Sequence, residues 1–352
     1  MADSHQFTLR RNDYSLDEQQ EAVRETFEDF FTSLSSSSVV RTAEPTGFDP
    51  SLWKKALATG VVSMAVAEER GGDGATLIDL VLVAEQYGRT LAPIPLVEAV
   101  TAARLLAAVT GPEADAILAS VLQGTVTATL ALHPVQTLEQ QLVPAGAGAD
   151  VVLALDGDDL VAVRRPDGVQ LVSNTANAPV GRLNLRDGER TVLVSGPEAV
   201  HAYDRSIRTW RLLTASALAG SASSSVALGV DFAKSRMAFG QFIGTFQAIS
   251  HALVDAATLM ESARNLARKA AWFEEYEPDA DPTLVPMVFV AASRAAVKCA
   301  TVALHVQGGF GFTNESDVTL HFRRAKGWPL LAQRPAEDLA LIAQALPLAP
   351  YI

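Results

Sequence analysis

A single cysteine, Cys299, stands in a chain of 352 residues. No intramolecular disulfide can form, so the fold has to be held by its core, and a reducing, cytoplasmic setting is expected. Cys299 lies in the mostly apolar run 295–304, which reads as a buried, inert thiol rather than a nucleophile. Positive charge is also scarce. Lys and Arg number 28 against 40 Asp and Glu, a formal net charge of -12. Phosphate binding along a nucleic acid needs clustered cations, so nucleic acid is excluded as a main partner. Strongly apolar runs are missing as well. The longest stretch without a charged residue, Leu212 to Val230, mixes alanine with Thr214, Ser216, Ser221 and Ser223 to Ser225. A membrane span would be more apolar, so this stretch is expected to be a helix buried inside a bundle. Met1 to Tyr14 is polar, and no secretory signal is expected there. Short repeats and long heptad runs are absent too.

What is present is a large apolar fraction, 49%, enough for more than one packed sub-domain. A capping-box pattern at Ser15 and Glu18 opens the first helix, with Val23, Phe27, Phe30, Phe31 and Leu34 along one face. The serine run 35–38 is expected to end it. Helical patterns follow at 50–59, 77–88, 95–109 and 113–123. Near Gly124 the character changes. Segments 125–132, 150–155, 160–164, 169–172 and 191–194 are rich in β-formers, and Asp156-Gly157-Asp158-Asp159 is a turn signal between two of them. From Val200 the chain is helical again, over 200–236, 246–273, 281–306 and 336–346, with Pro282 and Pro335 at helix starts. The expected fold is mainly α with a small central β domain: helices over 1–123, β over 124–198 and a helical bundle over 199–352.

Three segments carry further information. The first is Glu68-Glu69-Arg70-Gly71-Gly72-Asp73-Gly74, followed by Glu85-Gln86-Tyr87-Gly88-Arg89. The second is Arg236-Met237-Ala238-Phe239-Gly240, Ile243-Gly244, Phe246-Gln247 and Asp255. The third is Gln307-Gly308-Gly309-Phe310-Gly311-Phe312 to Glu315, closing with Arg323-Arg324-Ala325-Lys326. An arginine offers a permanently charged, planar donor fork for a pyrophosphate, and paired glycines let backbone approach a dinucleotide closely.

In this order the three segments resemble the acyl-CoA dehydrogenase family over nearly the whole chain. The resemblance implies an N-terminal helical domain, a β domain and a C-terminal four-helix bundle, with FAD held at a subunit interface. It implies cofactor contacts from Arg236, Met237, Ala238, Phe239, Phe246, Gln247, His305, Gly308 and Gly309. His305 stands where the family usually has glutamine, and Gln307 where it has histidine or phenylalanine.

The resemblance breaks where the reaction needs a base. The family removes an acyl α-proton with a glutamate at one of two positions. The first, twenty-three residues after Gly309, is Ala332, followed by Gln333-Arg334. The second, twenty-six residues before Arg236, is Trp210, with the family's following arginine kept as Arg211. Neither alanine nor tryptophan can accept a proton. Asp231, about 31 Å along the same helix from Trp210, is expected to be solvated. Asp317 is expected to sit at a turn or helix cap. The family's flavin-ring loop is reduced to Leu132-His133-Pro134-Val135 and Val143-Pro144-Ala145-Gly146, and His133 is expected to be solvated.

These losses suggest a base-lacking acyl-CoA dehydrogenase subunit that completes the FAD site of a second, catalytic subunit in an α2β2 complex. Trp210 and Arg211 would lie near the substrate, an acyl-CoA, and electron-transfer flavoprotein is the expected acceptor. Two alternatives are a homomeric enzyme with a relocated base, Glu315 being one candidate, and a flavin-binding protein that has lost catalysis.

Overall fold

The computed structural model describes residues 15–277, 281–332 and 335–345. Residues 1–14, where a signal was considered, and Gln333-Arg334, beside the first base position, lie outside them. The described chain is mainly helical with a small β region, the fold class expected. Helices α1 (Glu18–Leu34), α2 (Ser37–Ala43), α3 (Pro50–Ala58), α4 (Leu77–Thr90), α5 (Leu96–Ala108) and α6 (Pro112–Leu122) come first. Strands β1 (Ala128–Leu130), β2 (Gln141–Val143), β3 (Val151–Asp156), β4 (Asp159–Arg164), β5 (Gln170–Leu171), β6 (Gly181–Leu183) and β7 (Arg190–Ser195) follow. Then come α7 (Pro197–Ser235), the short hairpin β8 (Met237–Ala238) and β9 (Gln241–Phe242), α8 (Gln247–Tyr276), α9 (Leu284–Gln307), α10 (Val318–Gly327) and α11 (Pro335–Ala345).

The packing divides into two units. Among the described residues, one comprises 15–32, 77–91 and those from 211 onward; the other comprises Ser33–Thr76 and Ala92–Trp210. In the first unit α4 and α7 touch backbone to backbone. A Cβ added at Gly88 would lie 1.9 Å from the Ala217 carbonyl oxygen, and one at Gly220 would lie 2.0 Å from that of Glu85. Only glycine fits at either point. The serines of the uncharged stretch serve this contact. Ser216 Oγ donates to the Val81 carbonyl at 2.6 Å and Ser224 Oγ to that of Arg89 at 2.7 Å.

Glu85 is buried beside the contact and receives Arg264 Nε at 2.8 Å, with an Arg268 nitrogen 3.9 Å away. Arg89 reaches Glu28 on α1 at 2.7 Å. The Glu85, Gly88 and Arg89 motif is thus the seam along which α1, α4, α7 and α8 join. Phe31 of α1 meets Tyr87 edge-on at 6.2 Å, and Tyr87 stacks on Trp328 at 5.6 Å.

By length and composition α7 and the segment Leu284–Phe312 could cross a membrane, but 72% and 56% of their apolar windows are buried inside the fold. Bundle burial explains their hydropathy, as expected for 212–230. Cys299 is fully buried, its Sγ 3.2 Å from the Ala256 carbonyl, and burial pushes its thiol up to about 12. It is an inert core residue. Burial also holds His321 down to about 3, with its Nδ1 3.0 Å from Ser221 Oγ. The imidazole is neutral there and ties α10 to α7.

In the second unit β1, β3, β4 and β7 form a four-stranded sheet in that order, with β1 parallel to β3 and the other pairs antiparallel. A smaller antiparallel sheet runs β2, β6, β5. Ala131, Val143, Val152, Val161, Leu183 and Leu185 belong to the core of this region. Tyr203, on the first turns of α7, donates its buried hydroxyl to the Ala131 carbonyl at 2.8 Å. The glycine loop 71–74 is a folded turn. A Cβ at Gly72 would meet the Val66 carbonyl oxygen at 2.1 Å, and Arg70 ties the loop to α6 through Asp115 at 2.8 Å.

Several local expectations change. Asp17 rather than Ser15 caps α1. It accepts from Gln20 N at 2.9 Å, while Gln20 Oε1 accepts from Asp17 N at 3.1 Å, a reciprocal box. The serine run ends α1 but also opens α2, with Ser36 as its cap. Helix α9 starts at Leu284, so Pro282 precedes it. Strands β2 and β6, three residues each and paired with one another in the smaller sheet, carry too short a pattern to stand out in the sequence. His133 is buried, not solvated. Asp317 sits at the α10 N-cap position, yet its side chain does not cap the helix; its carbonyl accepts from Leu320 N instead.

Gly88→Ala is expected to lower the melting temperature by roughly 5–10 °C through overpacking at the α4–α7 seam. Gly148→Ala, where an added Cβ meets nothing within 4 Å, is the control and should shift it by no more than about 1 °C. Equal melting by thermal denaturation would disprove the seam's importance.

Candidate functional site

Helix α7 ends at Ser235, and Arg236 follows at the surface with its backbone N–H bonded to the Phe232 carbonyl at 2.9 Å. No acidic group holds its guanidinium among the described residues. The next residues form the hairpin β8–β9, with Met237 opposite Phe242 and Ala238 opposite Gln241. Its two turn residues are Phe239 at φ 52° and Gly240 at φ 81°, the sign pattern of a tight type I′ turn. Phenylalanine rarely adopts positive φ. The conformation presents the ring outward, 96% exposed and edge-on to Phe246 at 6.2 Å. Gln247, also exposed, is the first residue of α8.

The glycine strip is built at the end of α9. Gly308 has φ 61°, and an added Cβ at Gly308 or Gly309 would meet nothing within 4 Å. Gly311 by contrast is packed, a Cβ there lying 2.5 Å from the Leu304 carbonyl oxygen. Phe310 stacks on Phe232 at 6.3 Å with planes 7° apart. That stack joins the strip to the last turn of α7, so the second and third motifs share one face. His305 is exposed on the last turn of α9. Gln307 is buried and accepts from Ser316 Oγ at 2.6 Å, so it closes the turn and does not face outward.

An uncommitted arginine fork, an open glycine strip and an exposed aromatic wall fit a dinucleotide with its pyrophosphate. Met237, Phe242, Val254, Phe310 and Phe312 are exposed on the same unit, an apolar surface of the kind that a partner covers.

The two base positions look different. Ala332 is a buried methyl ending a short 3-10 turn. Trp210 is buried to 1% exposure, and its indole N–H points to Glu98 Oε1 of α5 over a long 3.5 Å. Burial raises the Glu98 pKa, opposed by its own backbone N–H and by Trp210. Arg211 lies 2.9 Å from Asp338 Oδ1 of α11, and Asp338 is fully buried. The retained arginine is therefore neutralised within this chain. Glu315, considered as a relocated base, is exposed, as is Asp231.

Sequence reasoning missed Glu98 and Asp338. Glu98 had a signal, a lone acid in the apolar run Leu96–Val100. Asp338 had none, because its pairing with Arg211 spans more than a hundred residues.

Comparison with known proteins now adds to the geometry. Residues 17–115 match the model of the acyl-CoA dehydrogenase N-terminal domain, and residues 202–332 that of the C-terminal domain. The acyl-CoA dehydrogenase IpdE2 of Mycobacterium tuberculosis is 30% identical over 92% of this chain and 95% of the relative. IpdE2 of Mycolicibacterium smegmatis is 28% identical over 92% and 97%. Among solved structures, the ChsE4-ChsE5 complex from Mycobacterium tuberculosis superposes with a TM-score of 0.85 at 24% identity, covering 96% of this chain and 100% of that one. Butyryl-CoA dehydrogenase from Megasphaera elsdenii superposes at 0.83 and 20% identity, covering 95% and 99%.

The raised Glu98 pKa has a definite sign in stability. Between the ordinary carboxyl value and the raised one, the folded chain holds a proton that the unfolded chain has released. Stability contributed by this group is then lost as pH rises through that window. Glu98→Gln cannot ionise, so its melting temperature should gain on the wild type as pH goes from about 4 to about 8. A gap independent of pH would show that Glu98 titrates as an ordinary carboxyl.

Proposed function

The chain belongs to the acyl-CoA dehydrogenase family, and from that premise we propose that it is the base-lacking partner subunit of a heteromeric, FAD-dependent acyl-CoA dehydrogenase. The observation that carries this reading is the contrast between its two halves of chemistry. Residues suited to a dinucleotide are exposed and open, whereas both family base positions hold side chains that cannot take a proton.

FAD, when bound, supplies the hydride acceptor for α,β-dehydrogenation of an acyl thioester. This chain's part is to hold and screen. Arg236 sets a fixed positive charge and up to five donors against the pyrophosphate. Gly308 and Gly309 admit the dinucleotide at backbone distance, and Phe239 and Phe246 wall it from water. Met237, Ala238 and Gln247 line the same turn, and His305 stands exposed one helical turn before the strip.

The α-proton must leave to a carboxylate within about 3 Å. Trp210 offers only an N–H, Ala332 only a methyl, and Arg211 is already balanced by Asp338. The base therefore comes from a second, related subunit, which covers the apolar face around Phe242, Phe310 and Phe312. The ChsE4-ChsE5 complex and a Tcur3481-Tcur3483 steroid acyl-CoA dehydrogenase are neighbours in fold whose names pair two components. The steroid in the second name supports a bulky acyl-CoA, such as a steroid side-chain thioester, as the proposed substrate class. Electron-transfer flavoprotein is the proposed acceptor and the cytoplasm the proposed location.

Native mass spectrometry of the tagged protein from its own cells tests the assembly. A mixed α2β2 mass with two FAD is expected; a homotetramer with four FAD and full turnover would overturn the reading. In the assembled complex, Arg236→Ala should weaken FAD binding about 10- to 100-fold, the loss of a charge-assisted hydrogen bond. The flavin-to-protein absorbance ratio after dialysis reads it, and an unchanged ratio would remove Arg236 from the site.

A further inference from the structure

Helices α8 and α9 run antiparallel. Cys299 Sγ of α9 meets the Ala256 carbonyl of α8 at 3.2 Å, and a Cβ added at Gly229 of α7 would touch Leu253 at 3.0 Å and Ala303 at 3.3 Å. Asp255 and Lys298 each precede the residues of the first contact by one position. At 1.5 Å per residue they stand within about 3 Å of the same level along the helix pair. Both are exposed, as is Arg294 one turn from Lys298. No side chain of these three has an ion pair or hydrogen bond among the described residues.

Each charge sits in an outward stripe. On α8 the stripe is Asp255, Leu259, Ser262 and Leu266, and on α9 it is Met287, Ala291, Arg294 and Lys298. None of these residues is buried, and Leu259 is 42% exposed. Steps of three and four residues keep to one face of a helix, the spacing at which helices interlock along a seam. The stripes differ in sign, with an acid on α8 and two bases on α9. A partner of one sign would match one stripe and oppose the other. A second copy of the chain matches both. A two-fold axis parallel to the helices lays α9 of one copy over α8 of the other, antiparallel and at the same level. Asp255 of each copy then faces Lys298 of the other. Leu266 faces Met287 and Ala291, and Leu259 lies under the aliphatic stems of Arg294 and Lys298. Complementarity of a face to itself is what a two-fold contact requires.

We propose that the outward face of α8 and α9 joins two copies of this chain, with Asp255 and Lys298 paired across the contact. In the α2β2 assembly, whose two copies rest on the partner-subunit reading, this contact makes those copies neighbours. The unlike subunit covers the face around Phe242, Phe310 and Phe312.

Charge reversal, read by native mass spectrometry of the whole assembly, tests the contact. Asp255→Lys and Lys298→Asp each set like charges against one another at both pairs. Each alone is expected to halve the mass, leaving one copy of this chain with one unlike subunit. Co-expressed under two different tags, the two variants present opposite charges at both pairs, and the full mass should return. Full mass in either single variant overturns the proposal. A halved mass that persists on co-expression also overturns it, because the face then serves the unlike subunit or a pair within one chain. If a reversal does not fold, Asp255→Asn and Lys298→Gln are read by the same criteria at low protein concentration, since their mixture regains one of the two pairs. If the wild-type assembly is homomeric, the partner-subunit reading falls alone. The contact is then still judged by whether each reversal lowers the mass and the mixture restores it.

Discussion

The backbone contact between α4 and α7 is the constraint on which the helical unit depends. Carbonyls of Glu85 and Ala217 lie where the Cβ atoms of Gly220 and Gly88 would have to be. Two helices this close leave no room for side chains between them, so the surrounding side chains take up the remaining polar groups. Glu85 gathers Arg264, and Ser216 and Ser224 cap carbonyls across the seam. A buried carboxylate costs several kcal/mol unless it is paired and hydrogen-bonded, and here the pairing comes from α8. The orientation of α7 follows, and with it the placement of Phe232 and Arg236 at its end.

Exposed and internally paired groups are distributed unevenly along that helix. At its C-terminal end the chain spends conformational strain to expose chemistry: Phe239 sits at positive φ, and Gly308 and Gly309 are left open. Near Trp210 and Arg211 it does the reverse. The indole is buried against Glu98 and the guanidinium is balanced by Asp338. A charge already paired inside a protein has little left to offer a substrate, and a tryptophan has no basic lone pair. One end of the helix leaves its polar and aromatic groups exposed, and at the other they are paired inside the fold.

Much of this was legible in the residues. The long helices, the β-rich middle and the inert Cys299 follow from periodicity and composition. The Arg236 and Gly308–Gly309 segments announce themselves as motifs, and the empty base positions are found by counting. The misses share a cause. Ser15 and Asp17 both offer cap chemistry, and only the folded turn selects Asp17. His133 reads as a loop residue, yet the loop folds inward. Gln307 belongs to a motif but serves Ser316. Each depends on what surrounds a residue rather than on what it is.

By itself, then, the sequence determined the element types, the retained family motifs and the absence of a carboxylate at Ala332 and Trp210. These are properties of residue identity and short-range spacing, which survive without knowledge of the fold. Only the tertiary structure decided that Glu98 faces Trp210, that Asp338 answers Arg211, and that Phe310 stacks on Phe232 to bring two motifs onto one face. Those pairings join residues 78 to 127 positions apart, and contacts at such separation are set by packing, which no local pattern encodes.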